Sequence, residues 1–352
     1  MRVFLTGITG FIGRSLASTF AEMGWEVGAL VRAASLDTVS EIENLDVVSK
    51  DLSDLRGDED FLAGYDLVIH TAAIRNRWGT SEEAYERVNV EATRRLLECA
   101  QNRVKRFVYI SSVGVYGFPG KTGIDERFST ETEKSGHGYH RTKAKAEIVV
   151  REYADQMEIV IVRPTITYGP GDEDGMVTRL IGMLSVGQFM YMGNGHNHIH
   201  LTYIDDLVKG ILLASTHPTA PGQTFNIGGP SSNSMVEIVD TITGLLEVRS
   251  PDVHIPLAFA TVSASIIEAA YRFGNWLGII RSTQAPFLTR DKVNVVSKHR
   301  SFSIKAAEDA LGYHPDVDLK AGLARTLTWL IEERNFAGSL HTNYTGTEVM
   351  ES

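Results

Sequence analysis

Short apolar runs and longer amphipathic stretches alternate along the first two thirds of the chain. Residues 3–5, 27–31, 46–48, 67–69 and 107–110 read as strands, with the near-continuous apolar character of strands buried on both faces. Between them, residues 11–23, 81–102 and 138–153 carry apolar positions at helical spacing. A sixth strand ends at Arg163-Pro164 and a seventh spans 224–227. This alternation predicts an α/β fold built on a doubly wound parallel sheet. After residue 169 the pattern changes: a helix over 174–187, a Gly-, Asn- and His-rich loop over 193–200, a helix over 234–246 and a closing helix that ends at Leu311-Gly312-Tyr313 predict a smaller C-terminal substrate lobe. The expected division is 1–168 plus about 200–230 for the sheet domain and 169–199 plus 231–338 for the lobe, with 339–352 a disordered polar tail. Within the lobe, residues 255–280 are strongly apolar. The helical spacing of Phe259, Val262, Ile266 and Phe273 predicts that this face packs on the lobe. Apolar surface left over would cover the active site as a substrate lid, with at most weak membrane contact, because the only nearby charges are Glu268 and Arg272.

Candidate chemistry begins at the first strand. Gly7, Gly10 and Gly13 follow it and open the first helix. Free backbone N–H groups and the positive end of a helix dipole favour a phosphate there, and glycine admits close approach, so the turn reads as the pyrophosphate site of a Rossmann dinucleotide-binding domain. The spacing is G-x-x-G-x-x-G rather than G-x-G-x-x-G. Arg32 ends the second strand and no acid occupies 32–34, which points to the 2′-phosphate of NADP, with NAD as the other possibility; Arg14 would add a second positive charge. Asp51, past the third strand, is placed to accept from the adenine amino group. His70-Thr71-Ala72-Ala73 ends the fourth strand with small residues that let a cofactor approach. Asn89 and Thr93 share one helix face. The fifth strand ends in Ser111-Ser112, and Tyr139 and Lys143 project from one face of the following helix. A free tyrosine titrates near pH 10, too high for a base at neutral pH. An ammonium one turn away, together with a positive nicotinamide ring, favours the phenolate and lowers that value, and a serine hydroxyl can hold the substrate oxygen while the proton moves.

Composition narrows the partners. The 352 residues carry a net charge of −10 with no basic cluster, which argues against nucleic-acid binding. The single cysteine, Cys99, excludes an internal disulfide and lies at a core position of an amphipathic helix. No leader pattern precedes the first strand and no apolar stretch reaches the length of a membrane span, so a cytoplasmic protein is expected. His196, His198 and His200 alternate, but no carboxylate completes a metal set, and no metal is expected.

The segments TGITGFIG (6–13), HTAA (70–73), NVEAT (89–93), YISSVGVYG (109–117), YHRTK (139–143), RPTITYGPGD (163–172), HLTYIDDLVKG (200–210) and FNIGG (225–229) together resemble the extended short-chain dehydrogenases/reductases. That family includes nucleotide-sugar epimerases and dehydratases, 3β-hydroxysteroid dehydrogenases and dihydroflavonol reductases. The resemblance implies a catalytic set of Ser112, Tyr139 and Lys143, with Ser112 rather than Ser111 in the serine position. It implies cofactor contacts from Gly7, Gly10, Phe11, Ile12, Arg32, Asp51, Leu52, Ala72, Asn89, Lys143 and Pro164, and a homodimer formed through two helices, here 84–100 and 144–154. Two enzymatic readings follow: an oxidoreductase acting on a hydroxyl or ketone carbon, and a nucleotide-sugar epimerase or dehydratase. Nucleotide-sugar enzymes usually place an arginine before the Tyr-Ile-Asp-Asp segment and an asparagine after the strand-six arginine. This chain has His198-Ile199-His200-Leu201 and Pro164-Thr165, leaving Arg281 or Arg290 as substitutes. With the apolar 255–280 segment, the pattern favours a small lipophilic substrate. A non-catalytic cofactor sensor is disfavoured by the intact Ser112, Tyr139 and Lys143.

Overall fold

The structure, a computed structural model, describes residues 1–42, 44–75, 78–130, 138–277 and 286–334. In chain order the first part comprises β1 (Arg2–Thr6), α1 (Phe11–Glu22), β2 (Glu26–Val31), β3 (Asp46–Ser49), β4 (Leu67–His70), α2 (Glu82–Tyr85), α3 (Ala92–Ala100), β5 (Arg106–Ile110), α4 (Gly138–Arg151) and β6 (Glu158–Pro164). Then follow β7 (Ile166–Tyr168), α5 (Met176–Ser185), β8 (Tyr191–Met192), β9 (His198–Tyr203), α6 (Ile204–Thr216), β10 (Thr224–Ile227), β11 (Ser232–Ser234) and α7 (Met235–Leu246). The last elements are β12 (His254–Ile255), α8 (Leu257–Trp276), α9 (Arg290–Ser297), α10 (Lys305–Leu311) and α11 (Leu319–Arg334).

Seven parallel strands form the central sheet in the order β10-β6-β5-β4-β1-β2-β3, flanked by helices: a Rossmann-like, doubly wound architecture. The chain starts in the middle, winds out to β3, returns and winds out to β10. The topological switch lies between β1 and β4, so a crevice opens at their carboxyl ends. Alternate strand residues feed two core clusters, one on each face. Val3, Leu5, Ile69 and Val108 pack with α1 and α6, while Phe4, Val68, Phe107 and Ile161 pack with α3 and α4. Cys99 lies in the second cluster, wholly buried, and burial pushes its thiol upward. Leu96, Leu97, Val149 and Val150 of the two expected dimer helices also belong to this core, while Ile148 faces outward. A three-stranded sheet (β11-β9-β7) and the β8–β12 pair carry the C-terminal part over the crevice side.

Two expectations need correction. The helix over 81–102 is not continuous: a π-turn spans Glu86–Glu91 between α2 and α3. The second concerns α8. Phe259, Val262, Ile266 and Phe273 do share one face, but that face is exposed, each residue being more than half accessible. The side packed against the body is lined by Ala260 and Ala264, which meet Val293 of α9 and the partly buried Met192 and Leu288. Small side chains let α8 approach α9 closely, and the large apolar ones are left outside. Residues 278–280 and 339–352 of the expected lid and tail, and Arg281, lie outside the described residues. No described helix is long and apolar enough to cross a membrane.

Asp172, in the turn between β7 and α5, is buried, and its Oδ2 has no hydrogen-bond partner. Loss of water raises its carboxyl to about 6, against the opposing pull of the Arg75 and Arg179 charges. A carboxyl raised on folding stabilises the fold while protonated, at low pH, and that contribution is lost as pH rises through about 6. Asp172→Asn is therefore expected to raise the melting temperature at pH 7.5 and to change it little at pH 4, as read by thermal denaturation across that range. For α8, Phe259→Ser with Ile266→Ser is expected to leave the melting temperature within a degree or two, because exposed substitutions usually change stability by less than about 0.5 kcal/mol. Ala264→Leu, which overfills the α8–α9 contact, should cost about 1–3 kcal/mol.

Candidate functional site

The crevice is built first by steric necessity. Gly7 follows β1 with φ +77, and a Cβ there would stand 2.5 Å from Thr71 Oγ1 and 2.7 Å from the Ala72 nitrogen. The loops after β1 and β4 thus touch across the switch point, and only glycine fits the contact. Gly10 N–H donates to the Gly7 carbonyl at 2.9 Å, closing the turn. A Cβ on Gly13 would lie 2.2 Å from that same carbonyl. Helix α1 opens at Phe11 and Ile12 with no side-chain cap and no acid in its first turn. Its N–H groups and dipole are therefore presented to an anion, and the residues present fit the pyrophosphate of a dinucleotide.

Further along the same edge, Arg32 is exposed after β2. Arg14 donates from Nη2 to the Thr38 carbonyl at 2.8 Å, which holds its charge against the turn that follows Arg32. Asp51, after β3, accepts from Ser53 N (2.8 Å) and Ser53 Oγ (2.6 Å). These bonds, with the positive charges of Arg32 and Arg87, hold its carboxyl below the usual range despite partial desolvation. Leu52 is buried beside it. Ala72 stands at the end of β4 and Pro164 at the end of β6, where it pairs with Ile227 of β10. The expected contacts at strand ends therefore share the carboxyl edge of the sheet.

Asn89 differs. Both of its amide N–H groups are engaged, with the Ile74 carbonyl (3.1 Å) and Thr142 Oγ1 (3.0 Å), and its Oδ1 accepts from Ile74 N (2.8 Å). It locks the loop after β4 to α4. The π-turn places it there, since one extra residue in the turn rotates Asn89 inward beneath the loop.

The reactive centre lies where β5 meets α4. Ser112 follows β5, accepts from Gly114 N at 3.0 Å and stands beside the Tyr139 phenol, favouring its ionised form. The neighbouring Ser111 points elsewhere and donates to Glu147 Oε1 at 2.5 Å. Ser112 is thus the serine on the Tyr139 side. Lys143 is buried, donates from Nζ to the Ile110 carbonyl at 2.6 Å and lies 4.5 Å from the centroid of the Tyr109 ring. Burial lowers its ammonium to about 7, with Glu147 pulling the other way. Burial raises the Tyr139 phenol above its ordinary value, the Ser112 hydroxyl and the Arg75 charge opposing. The Lys143 ammonium is aimed at the strand-end carbonyl, and among the described residues Arg75 is the cation that favours the Tyr139 phenolate.

Arg75 and Glu147 are the residues that sequence reasoning passed over. Each had a signal: Arg75 follows HTAA by two positions, and Glu147 stands one helical turn beyond Lys143. The Arg75 carbonyl accepts from Tyr85 Oη at 3.2 Å, and the Tyr85 ring lies under Gly138, which sets Arg75 beside the first turn of α4. His70, wholly buried, bridges Thr6 Oγ1 (2.6 Å) and Thr93 Oγ1 (2.8 Å), and burial with the Lys143 charge lowers it to about 3. Of the alternating histidines, His200 is buried, donates from Nε2 to the Gly229 carbonyl at 2.9 Å and accepts at Nδ1 from Phe302 N. Among the described residues no three His, Cys, Asp or Glu side chains converge as a metal ion would require.

Residues 3–228 match the model of the NAD dependent epimerase/dehydratase family. The chain is 32% identical to the decarboxylating sterol-4-alpha-carboxylate 3-dehydrogenase of Candida albicans over 76% of its length and 77% of the relative's. It is 28% identical to the 2-alkyl-3-oxoalkanoate reductase of Stenotrophomonas maltophilia, covering 92% of this chain and 98% of that one. In fold it is similar to the UDP-glucuronic acid 4-epimerase of Bacillus cereus in complex with NAD, with a TM-score of 0.73 at 22% identity, over 94% of this chain and 99% of that one. The matched span takes in the glycine turn, the Ser112–Tyr139 pair and Lys143, and the chain belongs to the NAD-dependent epimerase/dehydratase family of extended short-chain dehydrogenases/reductases.

Proposed function

We propose that this protein is a nicotinamide-dependent oxidoreductase that interconverts a hydroxyl and a ketone on a small lipophilic substrate. The observation that carries the reading is the placement of Ser112 beside a desolvated Tyr139, with the buried Lys143 ammonium one helical turn further along α4. The nicotinamide dinucleotide, when bound along the carboxyl edge of the sheet, supplies or accepts the hydride. In the reductive direction Ser112 Oγ holds the substrate carbonyl oxygen, and Tyr139 Oη delivers the proton to it. Burial keeps the phenol protonated at neutral pH, which suits it as the donor. In the oxidative direction the same oxygen must surrender its proton first, and the Arg75 charge stabilises the resulting phenolate.

The lipophilic preference is supported by what surrounds the crevice. Where nucleotide-sugar enzymes use an arginine, His200 is already bonded to Gly229 and Phe302; Arg290 is paired with Glu268 at 3.2 Å. Thr165 and Thr202 bond each other in the position of the usual asparagine. A diphosphate would find few free bidentate donors among these groups. Both characterised relatives named above act on lipid-like or alkyl-chain substrates according to their names, which supports the same class. Arg32 supports a preference for NADP.

Tyr139→Phe is expected to cut turnover of a long-chain or steroid-like alcohol by about 10²-fold or more, with cofactor affinity nearly unchanged. Near-normal turnover would remove Tyr139 from proton transfer. Arg32→Asp is expected to weaken NADPH far more than NADH in a fluorescence titration, since a carboxylate repels the 2′-phosphate and accepts from a free 2′-hydroxyl. Equal affinity of the parent for the two would exclude the preference.

A further inference from the structure

Arg300 lies between α9 and α10, at a position that the glycine-loop and Tyr-x-x-x-Lys motifs do not include. Its backbone is fixed: Arg300 N–H donates to the His198 carbonyl at 2.7 Å, and its own carbonyl accepts from His200 N–H at 2.9 Å. The side chain is only 7% exposed, yet it makes no hydrogen bond or ion pair among the described residues, and its Nε is buried without a partner. The guanidinium carbon stands 5.5 Å from the centroid of the Phe118 ring. Phe118 in turn lies 5.7 Å from the His140 ring, and His140 lies 5.7 Å from the Tyr139 ring. Arg300 is therefore joined to the reactive tyrosine by consecutive ring contacts.

A guanidinium that is 7% exposed, makes no side-chain hydrogen bond among the described residues and has its Nε shut off from water is an expensive arrangement, because desolvation is only partly offset and the fork geometry goes unsatisfied. Burial lowers its ordinary value to about 10, and the Asp291 carboxylate in the first turn of α9 offsets only part of this. Such a group is what a site for a buried anion requires in its unfilled form. One delocalised charge with a planar fork matches one carboxylate bidentately; a diphosphate would bring more charge than the single cation neutralises. The aromatic neighbour keeps water away, which strengthens the pairing once it forms.

We propose that Arg300 receives a carboxylate of the substrate, so that the preferred substrates are lipophilic hydroxy or oxo acids rather than neutral alcohols and ketones. This rests on the oxidoreductase reading for the reacting carbon, but the anion site itself can be measured without turnover. In calorimetric titrations the parent protein is expected to bind decanoate about 10-fold or more tighter than decanamide, the scale of a charge-assisted bidentate contact. Arg300→Gln should abolish that preference, and Arg300→Lys, which keeps the charge without the fork, should retain part of it. In assays, the ratio of kcat/KM for 3-hydroxydecanoate over its methyl ester should fall toward one in Arg300→Gln. If the parent binds decanoate and decanamide equally, the proposal is overturned irrespective of how the variants fold. It is equally overturned if Arg300→Gln keeps the preference, or if it lowers the melting temperature and weakens both probes alike, as a mere structural partner of Asp291 would. Failure of the parent to oxidise any of these alcohols while still preferring decanoate would instead overturn the redox reading and leave the carboxylate site standing.

Discussion

The structure depends on one buried carboxylate. Glu147 sits one turn beyond Lys143 on α4, and its two oxygens take Arg163 from β6 in a bidentate pair, at 2.9 Å to Nε and 2.5 Å to Nη2. Oε1 also receives the Ser111 hydroxyl from the end of β5. Arg163 continues the network through Nη1 to Tyr116 Oη at 2.7 Å, and Tyr116 donates to Asn226 of β10 at 2.8 Å. One helix and three adjacent strands are thus joined by groups with almost no access to water. A buried ion pair of this kind is weak evidence for net stability, since desolvation consumes most of the attraction. Its consequence here is geometric. It fixes the rotation of α4 against the strand ends, and the rotation of α4 decides where Tyr139 and Lys143 point. Removing either partner would leave an uncompensated charge in the core, at a typical cost of about 3–5 kcal/mol.

The same network explains why two adjacent serines have different work. With Ser111 committed to Glu147, the extended backbone turns Ser112 to the opposite side, toward the crevice. Lys143 lies between the two environments. Glu147 favours its charge, burial opposes it, and the Ile110 carbonyl holds the ammonium at the strand end. The phenol of Tyr139 feels Arg75 from the far side of the crevice. The proton-transfer group and the buried ammonium are therefore tuned by different partners, although they share a helix face.

The legible parts were those whose meaning is local. The glycine turn, the seven strands, Ser112 and the Tyr139–Lys143 face follow from spacing along a few residues, and the central sheet is the doubly wound parallel one that the alternation predicts. What escaped depends on contacts distant in sequence. Apolar periodicity finds the stripe of Phe259, Val262, Ile266 and Phe273 but does not say what covers it; Ala260 and Ala264 win the packing because α9 comes close only to small side chains. The π-turn leaves no mark in a helical pattern, so the bonds that tie the Asn89 amide to Ile74 and Thr142 cannot be read from spacing. Arg300 looks like any polar loop residue until β9 and Phe118 enclose it.

Arg75, Lys143 and Arg300 are three cations that burial separates in what each can do. Arg75 is exposed, so its influence on the phenol passes through solvent and is weakened by salt. Lys143 is buried and already bonded to Ile110, and its charge serves position at the strand end. The Arg300 side chain is buried and makes no hydrogen bond among the described residues, the one arrangement of the three in which arrival of an anion would return the most free energy, because the desolvation has already been incurred in folding. A single fold can thus hold positive charge for three ends: to bias a proton, to fix a helix, and to wait for a ligand. The assignment among them follows from depth and hydrogen bonding, and nothing in the identity of the residue types would have decided it.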